Sequence, residues 1–77
     1  MDTGASTRRA RRLSPRQTQV LEAVANGLTN KEIARNLGVS EQAVKAHVSR
    51  LLLRFHARTR TALVRAAARN RAINLDQ

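Results

Sequence analysis

Cysteine, tryptophan and tyrosine are absent from this 77-residue chain, and Phe55 is its one aromatic residue. Without thiols there is no disulfide framework and no Cys-ligated zinc, and a reducing compartment suits the chain. Without aromatics the core must be built from Leu, Ile, Val and Ala. No apolar run is long enough to cross a bilayer, and the N-terminus, MDTGASTRRARR, lacks the apolar block of a signal peptide. A soluble, intracellular protein is expected. At this length a chain buries only roughly 60 to 65% of its unfolded surface, which argues against a large enclosed active site. Acidic residues are also scarce.

What is abundant is arginine. Fifteen basic residues against five acidic give a net charge of +10, and thirteen of the fifteen are arginine. Such an imbalance favours a polyanionic partner, because each phosphate neutralised releases condensed counterions. The planar guanidinium suits phosphate oxygens and guanine edges better than a lysine point charge does. A GC-rich genome would also enrich arginine and alanine, so composition alone does not decide the matter.

Residues 1 to 12 carry Arg8, Arg9, Arg11 and Arg12 with no apolar period and are expected to form a basic flexible arm. A solvated tail is an equal alternative. Four arginines less Asp2 place +3 there, so residues 13 to 77 retain +7. Helix one is expected from LSPRQ: Ser14 as cap, Pro15 at the first helical position, Gln17 completing a capping box. Val20, Leu21 and Val24 form its apolar stripe, and Asn26-Gly27 its left-handed stop. Thr29 to Glu32 is a second capping box, opening a helix with Ile33, Ala34 and Leu37 inward and Arg35 outward. Gly38 closes it. Ser40 caps a third helix through about Phe55, and Thr59 a fourth, with Leu63, Ala66 and Ala67 inward, through Asn70. No stretch alternates with period two over strand length. The fold class expected is all-α, a four-helix domain.

In the segment TNKEIARNLGVSEQAVKAHVSR, Ala34 is small enough to let the next helix approach. Gly38 supplies the positive φ of a tight interhelical turn, and Ile33, Leu37, Val39 and Val44 close the angle from inside. That arrangement is a helix-turn-helix unit. At about 100° per residue, Val44, Val48, Leu51 and Phe55 share one stripe of helix three, with His47 and Leu52 at its margins. The opposite face carries Gln42, Ala46 and Ser49, with Lys45 and Arg50 on its shoulders. A short-chained polar face framed by cations fits insertion against base edges.

Leu13 to about Ile73 resembles the LuxR-type (GerE) DNA-binding domain of NarL- and FixJ-like response regulators and quorum-sensing activators. The resemblance rests on LSPRQTQVLEAVANGLTNKEIARNLGVSEQAVKAHVSRLL together with RTRTALV. It implies a tetrahelical helix-turn-helix domain over residues 13 to 77, in the winged-helix-like DNA-binding superfamily. The helix-turn-helix unit would span about residues 30 to 54, the recognition helix about 41 to 55, and a dimerisation helix about 60 to 73. A transcriptional regulator, or its output domain, is the function implied. Its location would be cytoplasmic and nucleoid-associated in a bacterium.

By the same resemblance the base-reading positions fall on Lys45, Ala46 and Ser49. Lys45 is suited to guanine O6 or N7 and Ala46 to a thymine methyl, while Ser49 has a shorter reach. Gln42 could read adenine. Phosphate contacts are expected at the helix N-termini and their flanks: Thr29, Asn30, Lys31, Ser40, His47, Arg50, Arg58 and Thr59. Thr61, Val64, Arg65 and Ala68 are left for a dimer partner, DNA or water. The partners expected are double-stranded DNA, a second copy in a weak dimer formed on DNA, and RNA polymerase. On DNA, a two-fold pair would place its recognition helices about 34 Å apart on an inverted repeat. No membrane and no small-molecule ligand is expected for this chain.

Some positions depart from the pattern. Phe55-His56 stands where relatives have Leu-Gly, Ala43 replaces a threonine, and Leu53 replaces a basic residue on the outward face. His47 and His56 are nine residues apart with no Asp, Glu or Cys at ligand spacing, so no metal, cofactor or catalysis is expected. Two alternatives stay open. A sigma-factor promoter-binding module shares LSPRQ through VKAHVSRLL but generally lacks the RTRTALV helix, and a cationic protein- or RNA-interaction module would share the charge.

Overall fold

The computed structural model describes residues 13–70, in which four helices and no strand occur. They are α1 (Pro15–Ala25), α2 (Asn30–Leu37), α3 (Glu41–Arg54) and α4 (Arg60–Arg69). The expected arm, and residues 71 to 73 of the expected fourth helix, lie outside the described residues.

Each helix starts where a hydroxyl can satisfy orphan backbone donors. The Ser14, Thr29, Ser40 and Thr59 side chains accept from the N–H groups of Gln17, Glu32, Ala43 and Ala62, at 3.0 to 3.1 Å. In α1 and α2 the box is reciprocal. The Ser14 N–H donates to Gln17 Oε1 at 3.1 Å, and the Thr29 N–H donates to Glu32 Oε1 at 2.8 Å.

The stops follow one pattern used three times. Gly27 and Gly38 adopt φ of 84° and 70°, and His56 takes the same left-handed region at 55°. After α1 the Gly27 N–H donates to the Val24 carbonyl and the Leu28 N–H to that of Ala23. After α3 the His56 N–H donates to the Leu53 carbonyl and the Ala57 N–H to that of Leu52. Both pairs are the 5→2 and 6→1 bonds of a Schellman motif. The missing glycine after α3 has therefore not changed the turn; His56 adopts the glycine conformation.

Val20, Leu21, Val24, Ile33, Ala34, Val44, Val48, Leu51, Leu63 and Ala67 form one buried cluster drawn from all four helices. Leu37, Val39, Leu52 and Phe55 are half-buried around it. α1 and α3 each pack against every other helix, whereas α2 and α4 do not pack against each other. α3 is thus clamped along its inner stripe, which fixes which side of it faces outward. No helix among the described residues is long and apolar enough to cross a membrane.

Candidate nucleic-acid interface

The outward face of α3 is set by the burial of Val44, Val48 and Leu51 on the other side. Gln42, Lys45, Ser49 and Arg50 are exposed and Ala46 is half-buried. Seven residues separate Gln42 from Ser49, so this stripe is about 10 Å long at the helical rise. Leu53 continues the stripe about 6 Å further toward the C-terminus and is 78% exposed, the one large exposed hydrophobic residue among those described.

The expected phosphate-contacting residues divide by what their side chains already do. Lys31, Arg50 and Arg58 are exposed cations. Thr29, Ser40 and Thr59 spend an oxygen lone pair on capping; Ser40 and Thr59 keep their O–H groups for donation, whereas that of Thr29 is shared with the Glu32 carboxylate. Asn30 is half-buried, and its Oδ1 accepts a bond from the Arg60 guanidinium, so only its amide nitrogen remains to meet a phosphate. His47 is half-buried at the margin of the core stripe, and its Nδ1 is buried without a hydrogen-bond partner. Any phosphate contact by His47 falls to Nε2.

Glu32 stands in the first turn of α2, next to Lys31 in the chain. Hydrogen bonds from the Thr29 backbone and side chain, with a smaller contribution from the Arg35 charge, hold its carboxyl below the ordinary value of 4.5. The carboxylate is thereby ionised and locked into the cap at neutral pH.

On α4, Thr61 and Arg65 are exposed, but Val64 and Ala68 already pack partly against the domain's own core. The face left over for a partner is narrower than the sequence suggested. Among the described residues no group of three or more His, Cys, Asp or Glu is placed to hold a metal ion.

Sequence reasoning missed Arg60. Its Nη1 donates to Asn30 Oδ1 at 2.8 Å and its Nη2 to the Leu28 carbonyl at 2.7 Å. One signal was available. Arg60 is the first residue of α4, where the helix dipole disfavours a cation, and no acid stands in that first turn to balance it.

The family model for bacterial regulatory proteins of the luxR family (GerE) matches residues 11–67. A probable transcriptional regulator, ycf29, of Pyropia yezoensis is 43% identical over 82% of this chain and 28% of its own length. The two-component response regulator PprB of Pseudomonas aeruginosa is 47% identical over 71% of this chain and 20% of its own. The nitrate/nitrite response regulator protein NarP of Escherichia coli is 46% identical over 65% and 23% respectively. The chain therefore spans less than a third of each of these relatives.

Proposed function

This chain belongs to the luxR family of bacterial regulatory proteins, and on that premise we propose that it is a sequence-specific double-stranded DNA-binding transcriptional regulator, or the output domain of one. One observation carries the proposal: the exposed, short-chained stripe of α3, flanked by Lys45 and Arg50 and held outward by the buried opposite face. A helix about 10 to 12 Å across with its side chains fits a major groove about 12 Å wide. α3 enters the groove, Lys45 donates to guanine, Gln42 reads adenine, Ser49 contacts a base within its shorter reach, and Ala46 meets a thymine methyl. Thr29, Asn30, Lys31, Ser40, His47, Arg50, Arg58 and Thr59 hold the backbone of the duplex. Two copies meet through α4 by Thr61 and Arg65, with the exposed parts of Val64 and Ala68, only when DNA brings them together. RNA polymerase is the downstream partner in this reading.

The test is selection of bound sequences from random duplex DNA, followed by binding at rising salt and competitor DNA. A regulator yields an enriched inverted repeat and keeps its preference as competitor increases. A generic cationic module yields no enriched site, and that result sinks the proposal.

A further inference from the structure

We propose that Arg60 is a positioning residue for DNA binding, one that turns the Asn30 amide so that its Nδ2 donates to a backbone phosphate at the N-terminus of α2. The inference rests on the DNA-binding reading above.

The chemistry of the guanidinium settles the orientation. Arginine has only donors, so the Asn30 atom 2.8 Å from Nη1 must be the oxygen, and the usual ambiguity of an amide flip disappears. Nδ2 then faces away from Arg60. Among the described residues Nδ2 meets no acceptor, and the buried polar atom left without a partner is His47 Nδ1. Nδ2 of half-buried Asn30 is accordingly open to solvent. It lies at the first position of α2, where the backbone N–H groups of Asn30 and Lys31 have no intrahelical acceptor and the Lys31 ammonium is exposed. The groups of Asn30 and Lys31 offered there are donors, the Glu32 carboxylate being turned back onto the Thr29 N–H, and a phosphate oxygen only accepts.

The position of Arg60 in the fold gives it this task. α2 and α4 are the one pair of helices that do not pack together, and the Arg60 side chain spans the gap between them. Its second bond, to the Leu28 carbonyl, anchors the turn that precedes the Thr29 cap. The guanidinium is part-buried and both of its bonds point into the domain. Arg60 therefore acts through Asn30 and does not touch DNA itself.

This arrangement separates affinity from salt dependence. Asn30 is neutral, so losing its contact weakens binding without changing the number of cations that neutralise phosphates. Loss of a cation that touches phosphate flattens the slope of log K against log salt by about 0.9. The experiment measures binding of the wild type, Asn30→Ala, Arg60→Met and the double variant to a duplex half-site from the selected operator, across a salt series. Each single variant is expected to bind about fivefold more weakly, with an unchanged salt slope, and the double variant no worse than either. Multiplying losses, a slope reduced by about 0.9 in Arg60→Met, or undiminished binding by Asn30→Ala overturns the proposal. Should Arg60→Met fold poorly by far-UV circular dichroism, Asn30→Asp decides. It keeps an oxygen for Arg60 and replaces the outward donor by an acceptor, so it must melt no lower than wild type and bind more weakly than Asn30→Ala. A wild type without sequence preference removes the DNA reading itself, a result distinct from any difference among variants.

Discussion

The three left-handed stops allow a prediction with opposite signs at equivalent places. Gly38 has φ 70°, and a Cβ built on it meets nothing within 4 Å, so Gly38→Ala carries no steric clash, only backbone strain. An L-residue in this region costs about 1 to 2 kcal/mol. The smaller conformational freedom of alanine in the unfolded chain returns about 0.4 to 1 kcal/mol. A net loss of about 1 kcal/mol follows, or a fall in Tm of about 4 to 8 °C for a domain of this size. His56 already carries the strain, at φ 55°, and its exposed ring makes no hydrogen bond among the described residues. His56→Gly should therefore gain about 1 kcal/mol, and His56→Ala, which keeps the Cβ, should change little. Thermal and urea melts followed by circular dichroism measure all three. If His56→Gly melts at or below the wild type, the imidazole contributes more than the strain costs, and the reasoning fails.

Other consequences are equally accessible. Glu32 has a lowered pKa in the fold, so its stabilising effect is fully present above 4.5 and is lost as pH falls through the lower folded value. Glu32→Gln keeps the capping bond, as Gln17 does in α1, and should flatten that acid limb; an unchanged limb in pH-dependent melts would assign the acid sensitivity elsewhere. Ala34 is 5% exposed between α2 and the core, so Ala34→Leu should cost about 1 to 3 kcal/mol by overpacking and should open the α2–α3 angle. Melts and operator binding falling together would bear that out. Deleting residues 1 to 12 should lower affinity and flatten its salt dependence without altering the selected site; an unchanged slope makes the arm a bystander.

The architecture was legible because its signals are local. Capping boxes at Ser14 and Thr29, the Gly38 stop and the Val44, Val48, Leu51 stripe each lie within a few residues of what they determine. The orientation of α3 followed from them, and with it the exposure of Gln42, Lys45 and Ser49. What escaped was long-range. Arg60 reaches partners 30 and 32 residues away and looks in sequence like any of thirteen arginines. Val64 and Ala68 were assigned to a free face by helical angle alone, but the core cluster claims part of each. The burial of one nitrogen of His47 likewise depends on how α3 seats on its neighbours. The exposure of Gln42, Lys45 and Ser49 was therefore legible in the sequence, while the groups that hold that surface in place were not.

The central claim is that the outward stripe of α3 reads bases, and Lys45→Ala tests it most directly when sites are selected in parallel for the variant and the wild type. Lys45 is exposed and lies outside the core, so helicity and Tm should stay the same. The account predicts a loss of about 1 to 3 kcal/mol on the wild-type operator and relaxed preference at one guanine-bearing position in each half-site. A variant that weakens uniformly on all sequences, or selects an unchanged site, would place Lys45 on phosphate or on nothing and contradict the account.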